Sequence, residues 1–171
     1  MKKALENLLV VTPFSKRFGI AVFRHGELLY FAVNSYRQPR TLDSIQADAM
    51  MKLKNLFDKF TPGLIILKSL TRHQAASNNH RHVVMTIKSI AKMYSVPVEE
   101  ISFKDARCKL LTGQVPTYNR TFATLRDTFP ELTRFTLFQN RSQREYYMPL
   151  LSAVAIGLAR VGTEPRPREI S

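Results

Sequence analysis

The sequence contains very little cysteine and no long apolar run. Its 171 residues include one cysteine, Cys108, which excludes an intrachain disulfide and gives no indication of a thiolate metal cluster. We expect Cys108 to be a small buried apolar side chain in a protein of a reducing compartment. No apolar stretch approaches the roughly 20 residues of a membrane helix, and the start MKKALENLLVV has too short an apolar segment for a secretory signal. These absences predict a cytoplasmic protein with no membrane partner.

Acidic residues are also scarce. The chain has 13 Asp and Glu residues against 26 Lys and Arg residues, which gives a net charge of +13. This excess is larger than solubility requires, so we expect a polyanionic partner. The basic residues are spread along the whole chain and do not form one wholly basic helix face, a distribution that favours nucleic acid over a membrane surface. A role in a ribonucleoprotein would produce the same composition.

The length and composition indicate one domain. With 44% hydrophobic residues, a chain of this length can bury one core and is too short for two ordinary domains. We expect that domain to cover residues 1–160. The stretch 161–171 ends in GTEPRPREIS, which is polar and rich in proline and arginine, and it predicts a flexible basic tail.

Apolar runs near the start of the chain predict a three-stranded meander. The runs at 7–12 and 18–24 are rich in Val, Ile and Phe, and a basic turn separates them. A third run at 27–36 follows the tight reversal at His25-Gly26. Short apolar runs that are separated by turns of this kind are typical of consecutive antiparallel strands.

Alternating helices and strands follow the meander. From Thr41, which can cap it, the apolar period becomes that of a helix of about five turns. The run LIIL at 64–67 predicts a fully buried strand of a parallel sheet. A polar loop over 68–82 leads into a second helix at 83–94, and 96–103 predicts another strand. This spacing of strands and helices indicates parallel crossover connections.

The rest of the chain predicts three helices. Ser102 begins a short helix that ends at Gly113, and a second short helix covers 119–129. A long final helix covers 142–160, where small residues allow close approach to the sheet and Pro149 lies in the first turns. The predicted fold class is therefore α/β, with a mixed five-stranded sheet of a three-strand meander plus parallel strands, flanked by helices.

This order of elements is that of the ribonuclease H-like fold, and four segments resemble its RuvC-like branch, the Holliday-junction resolvases. LLVVTPFSKRFGIAVF resembles the first hairpin of that branch, which reads apolar strand, Asp-Pro-Gly, short turn, Gly, apolar strand. PGLIILKSL is similar to the strand that normally ends in a glutamate. PVEEISFKDARCKLLTG is similar to the segment that leads into the substrate-facing helix, and LLSAVAIGLA to the final helix. The resemblance covers roughly residues 7–160.

The resemblance implies an activity for which this chain lacks the residues. Members of the branch cleave phosphodiesters with two divalent cations, which about four carboxylates hold. Here Thr12 stands at the first acidic position and Lys68, or its neighbour Ser69, at the second, and the final-helix span 147–151 contains no acid. We therefore expect no catalytic residue, no metal and no cofactor. The predicted function is nucleic-acid binding by a catalytically inactive RuvC-like protein.

The partners follow from the same resemblance. We expect branched or duplex DNA rather than RNA, and either a homodimer or a place in a larger protein complex, because active relatives often pair through their helices. The candidate nucleic-acid contacts are the basic residues around the face where the strands end: Lys16, Arg17, Lys68, Arg72, His73, Lys104, Arg107, Arg120, Arg141 and Arg144. Tyr118 and Phe122 could stack on unpaired bases, although core packing explains Phe122 equally well.

Lys68 has two interpretations. Its ammonium could stand where a metal cation sits in an active relative and contact the same phosphate directly. It could also be an ordinary lysine that extends to solvent from a strand end. The neighbouring His73, His80 and His82 could supply imidazoles to a metal, but no acid or cysteine accompanies them, so a solvated basic loop is the better account.

A second hypothesis makes the chain an active enzyme. In this alternative Glu145, Asp105 and Glu100 replace the missing acids and hold Mg²⁺ in a metal-dependent endonuclease. Convergence of these three carboxyl groups in space would support the alternative.

Overall fold

The computed structural model describes residues 7–37 and 41–162, so most of the expected basic tail lies outside the described residues. Its strands are β1 (Asn7–Pro13), β2 (Arg17–Arg24), β3 (Glu27–Ser35), β4 (Leu64–Lys68) and β5 (Val98–Ile101). The helices are α1 (Leu42–Phe60), α2 (Arg72–Ala75), α3 (Asn78–Met93), α4 (Phe103–Leu110), α5 (Tyr118–Thr128), α6 (Thr133–Thr136) and α7 (Arg141–Val161), with a short 3₁₀ helix at Pro130–Leu132.

The strands form one mixed sheet in the order β3-β2-β1-β4-β5. β1, β2 and β3 are antiparallel neighbours, and β4 pairs in parallel with both β1 and β5. The reversal between β2 and β3 places His25 and Gly26 at positive φ angles of 51° and 76°, which the tightest hairpin turns require. The predicted meander, the parallel strands and the α/β class are confirmed.

Alternation along the strands produces two core layers. In β1, Leu8 and Val10 belong to a cluster with α4, α5 and α7, whereas Leu9 and Val11 belong to a cluster with α1 and α3. Successive strand residues point to opposite faces, so a strand that is buried on both faces reads as a continuous apolar run. Helices therefore cover both faces of the sheet, with α7 on one and α1 with α3 on the other.

Close contact between α7 and the sheet depends on glycine. A Cβ on Gly19 of β2 would collide with the Pro149 carbonyl of α7, and a Cβ on Gly157 would collide with the Phe23 ring. The first obstacle is backbone, which cannot rotate away as a side chain can. Gly19 therefore permits the approach that brings α7 against the end of β1.

Several local predictions were wrong. The stretch 68–82 is not a polar loop, because it contains α2 and the first turn of α3. The short helix α4 ends at Leu110 rather than at Gly113, and Cys108 is exposed rather than buried because it lies on the solvent side of that helix. The 3₁₀ helix and α6 were not predicted. No helix among the described residues is long and apolar enough to cross a membrane.

Candidate nucleic-acid interface

The end of β1 is tied directly to α7. Thr12 is fully buried, and its Oγ1 donates a hydrogen bond of 2.5 Å to the carbonyl oxygen of Pro149. Its register partner on β2 is Gly19, so the helix backbone reaches the threonine without obstruction. A hydroxyl in this contact offers no anionic oxygen, and hard anionic oxygens are what magnesium prefers. The residue at this position therefore does not fit a metal site.

Arg17 makes the second connection to α7. Pro149 has no N–H, so the carbonyl of Glu145, four residues earlier, has no donor within the helix. Arg17 supplies one, with Nη1 at 3.4 Å from that oxygen. Its guanidinium also lies 4.6 Å from the centroid of the Tyr146 ring. A proline inside α7 thus frees a carbonyl oxygen that accepts a hydrogen bond from the first residue of β2.

These contacts border a groove of about 480 Å³, which we call the basic groove. Four of the predicted contact residues line it, namely Lys16 from the β1–β2 turn, Arg17 from the start of β2, and Arg141 and Arg144 from α7. Phe14, Ser15, Glu145, Met148 and Pro149 complete the lining. Glu145 is the acidic member, and it forms an ion pair with Arg141 at 2.7 Å. The groove therefore has a net positive lining on partly apolar walls.

An aromatic ring joins the basic groove to α4 and α5. The Arg107 guanidinium lies 4.4 Å from the centroid of the Tyr118 ring, and the Arg144 guanidinium lies 5.4 Å from it. Arg107 also donates from Nη1 to the Pro116 carbonyl at 2.8 Å. Two arginines already flank Tyr118, so a base could stack on it only by displacing one of them. Phe122 is 2% exposed and belongs to the core cluster, so core packing is the interpretation of this residue that holds.

Lys68 is buried at the carboxyl end of β4. Its exposed fraction is 4%, and its Nζ donates to Gln74 Oε1 at 3.1 Å and lies 4.7 Å from the Phe14 ring centroid. Burial lowers the pKa of Lys68 to about 8, because it disfavours the charged form. The lysine therefore neither extends to solvent nor reaches the surface as a direct phosphate contact in this arrangement.

The histidines lie in three different environments. His80, on the first turn of α3, is buried, and both burial and the charge of Lys68 lower its pKa. His82 Nε2 lies 2.9 Å from Gln46 Oε1, and His73 is exposed on α2. The account of a solvated basic loop is therefore wrong for His80, because the segment is helical and turns this residue inward.

Four of the other predicted basic residues are exposed and lie outside the groove lining. Arg72 and His73 are on α2, whose Gln74 contacts Lys68. Lys104 is on α4, and Arg120 on α5 donates to the Val115 carbonyl at 3.1 Å. Lys68 adjoins the groove through Phe14, and Arg107 through Tyr118 and Arg144.

Among the described residues, the acids of the endonuclease alternative do not form a metal-binding group. Glu145 pairs with Arg141, and Glu100 pairs with Lys88 at 2.6 Å. Asp105 lies in the first turn of α4. Within residues 7–37 and 41–162, no three His, Cys, Asp or Glu side chains are grouped so that they could hold a metal ion. This geometry offers the alternative no support.

Sequence reasoning missed three residues that organise this surface. Phe14 and Tyr146 each face a cation, and Gln74 accepts from both Lys68 Nζ and the Thr71 backbone N–H. An aromatic residue beside arginines and lysines, as at 14–17 and 144–147, was an available signal for the first two. The Thr-x-x-Gln spacing of 71–74 was a capping-box signal for α2.

Comparisons with known proteins identify solved structures that have a similar architecture. No family model and no curated protein matches the chain. The structure is similar to Thermus thermophilus RuvC, at 13% identity and a TM-score of 0.67 over 90% of this chain and 92% of that one. It is also similar to T. thermophilus RuvC in complex with Holliday junction substrate, at 12% identity and a TM-score of 0.64 over 90% of each chain.

A eukaryotic structure gives the same result. The yeast mitochondrial Holliday junction resolvase Ydc2 is 13% identical, with a TM-score of 0.55 over 90% of this chain and 78% of that one. At these identities the similarity establishes a fold. The chain has the ribonuclease H-like fold of the RuvC-type Holliday-junction resolvases, as its order of elements and its motifs predicted.

Proposed function

We propose that this protein binds branched or duplex DNA through the basic groove and does not cleave it. The observation that carries the proposal is the convergence of Lys16, Arg17, Arg141 and Arg144 on one groove at the end of β1. It acts as a homodimer or as a subunit of a larger complex. Its activity requires no metal and no cofactor.

The way in which the arginines are held supports phosphate binding. Arg17 and Arg144 each lie against a tyrosine ring, and stacking restricts a long flexible side chain before any ligand arrives. A guanidinium is planar and offers paired donors that match phosphate oxygens. Because these arginine side chains are already restricted, they lose less conformational entropy when a phosphate binds, so less binding free energy is lost on association.

The choice of DNA over RNA rests on the fold neighbours. One of the similar structures is a RuvC in complex with a Holliday junction, so the fold is compatible with a four-way DNA junction as ligand. In this chain the basic groove lies at the carboxyl end of β1, and the end of β4 adjoins it through the contact between Lys68 and Phe14. This is the edge at which open α/β sheets collect ligands.

The absence of cleavage is supported by what the family's acidic positions hold here. Thr12 donates to a backbone carbonyl, Lys68 is a buried cation, and the span 147–151 of α7 contains no acid. Two-metal cleavage needs carboxylates that neutralise and orient both ions. A hydroxyl and an ammonium cannot do so.

Binding to four-way junction, duplex DNA, single-stranded DNA and RNA, with and without magnesium, tests the proposal. We expect the junction or duplex to bind best, and EDTA to leave affinity unchanged. Assuming six phosphate contacts, affinity should fall about a thousandfold between ~50 and ~200 mM salt, because each contact releases counterions.

A pair of variants locates the interface. Arg144→Ala should bind about tenfold more weakly on every sequence, as expected for a lost phosphate contact. Lys54→Ala, on α1 across the sheet, should bind like the parent. Equal losses in both variants, or tight binding that ignores salt, would count against the basic groove.

A further inference from the structure

A buried cation beside the basic groove has no anionic partner. Lys68 is 4% exposed, and the groups that its ammonium contacts are neutral, a glutamine oxygen and a phenylalanine ring. Among residues 7–37 and 41–162, no aspartate or glutamate forms an ion pair with it. Burying an ammonium without a counterion destabilises a folded protein. Stability therefore does not explain why a lysine is buried at this position.

An unpartnered nitrogen lies in the same region. His80 is 7% exposed, and its Nδ1 is buried without a hydrogen-bond partner. Burial, and after it the positive charge of Lys68, lowers the pKa of this imidazole, so its cationic form is disfavoured at this position. Buried polar nitrogens are nearly always hydrogen-bonded. Among the described residues, Lys68 thus has one neutral acceptor, Gln74, and the buried Nδ1 of His80 has no hydrogen-bond partner.

The helix that covers Lys68 is short and has no buried side chain. α2 spans Arg72–Ala75 and has no buried residue. Its Gln74 Oε1 accepts from the Thr71 N–H at 3.0 Å and from Lys68 Nζ at 3.1 Å. One side chain therefore both caps α2 and shields the ammonium. On its other side Lys68 faces Phe14, which lines the basic groove.

We propose that Lys68 and His80 form an anion site for one backbone phosphate of bound nucleic acid, and that this site opens when Gln74 moves away from Lys68. The inference rests on the proposed function and extends it to a second phosphate position beside the groove. The incoming phosphate supplies the missing counterion, so binding compensates for displacing the glutamine. Arg72 and His73, exposed on α2, then flank the same phosphate.

Lys68→Met is the decisive variant. It keeps an unbranched side chain that is one atom shorter and removes the uncompensated charge, so we expect it to unfold at a higher denaturant concentration than the parent. It should also bind four-way junction about tenfold more weakly and lose about one unit of salt slope, as for one phosphate contact. Lys54→Met is the matched control and should bind like the parent. A purely structural lysine predicts the opposite pair of results, lower stability and unchanged binding.

Gln74→Ala tests the opening step. Removing the amide leaves Lys68 without its acceptor, so we expect tighter binding than the parent shows. Combining it with Lys68→Met should abolish that gain, because the gain requires the ammonium. If Gln74→Ala binds no more tightly than the parent, or if the gain persists without Lys68, the proposed opening is wrong.

Two further results separate the possible failures. If Arg17→Ala and Arg144→Ala lose binding while Lys68→Met binds like the parent, the groove stands and the anion site is wrong. If the parent binds no nucleic acid at ~50 mM salt, the proposed function fails and this inference fails with it. Inorganic phosphate is the second probe. If it stabilises the parent but not Lys68→Met, while their nucleic-acid binding is equal, the site takes free phosphate and the assignment to a backbone phosphate is overturned.

Discussion

The hydroxyl of Thr12 joins the end of β1 to α7 through a hydrogen bond. Thr12→Val keeps the shape of the side chain and removes the hydrogen bond to Pro149, so we expect a loss of about 1 kcal/mol in the free energy of unfolding. Thr12→Asp introduces the acid that the family resemblance predicts at this position, but it places a buried carboxylate against a carbonyl oxygen. It should cost about 3 kcal/mol or more. Denaturant unfolding measures both, and a Thr12→Asp variant as stable as the parent would show that this contact is loose.

The buried Lys68 predicts a pH dependence of stability. Its pKa falls from the ordinary 10.5 to about 8 on folding. Between these values the unfolded chain binds the proton and the folded chain does not, so stability rises with pH through this window, by up to about 3 kcal/mol.

Denaturant unfolding from pH 7.5 to 9.5 should therefore show a rise in the parent that Lys68→Met lacks. The pH range ends at 9.5 because the effect of Tyr36 on stability has the opposite sign at higher pH. Burial raises the pKa of its hydroxyl, so the stability it contributes is lost once unfolded tyrosine ionises near pH ~10. Parallel curves for the parent and the variant would contradict the assignment.

For single residues, the sequence predicted the place in the fold better than the burial and the contacts of the side chain. It indicated that a lysine follows LIIL at the end of a strand, and β4 confirms this. It could not indicate that Gln74 would cover that lysine, because the contact depends on how a four-residue helix folds back over the sheet. Cys108 failed for the same reason, since α4 turns it outward and an eight-residue polar helix has a weak apolar period.

Whole elements were more predictable than residues. The longer helices are predicted by an apolar period of 3.6 residues, and the five strands by short apolar runs rather than by the alternating period of 2 residues. α2 and α6 have four residues each, too few for either period, so they could not be recognised in this way. The groove could be predicted only in part, because Lys16 and Arg17 are adjacent in sequence whereas Arg141 and Arg144 reach them only once α7 packs on β2.

The packing of α7 on β2 is therefore the element-scale feature on which the site depends. Gly19→Ala would place a methyl group against the Pro149 carbonyl, and we expect it to destabilise the protein by about 3 kcal/mol. Gly113→Ala is the matched control. It meets nothing within 4 Å but has φ of +80°, so it should cost about 1 kcal/mol from backbone strain. Equal effects in thermal unfolding would show that α7 can shift outward at little cost.

At the scale of the whole molecule, charge and topology act together. A chain with a net charge of +13 attracts any polyanion, so charge alone gives affinity without selectivity. The edge of the sheet determines where a polyanion binds, because β1, β4 and α7 bring cations from distant parts of the sequence to one place. The resemblance to two-metal nucleases predicts acids at this edge, and its buried side chains here are instead the hydroxyl of Thr12 and the ammonium of Lys68.

This exchange predicts that purified protein will not cleave junction, duplex or RNA substrates when Mg²⁺ or Mn²⁺ is added. Two-metal hydrolysis requires several carboxylates at one point to stabilise both the attacking and the leaving oxygen. Thr12 and Lys68 cannot supply them, and Glu145 is already paired with Arg141. Gel assays over a range of metal concentrations measure this, with Glu145→Ala as the control for contaminating nuclease. Cleavage that survives further purification and disappears in Glu145→Ala would establish an active enzyme, because a contaminant would be unaffected by a substitution in this chain.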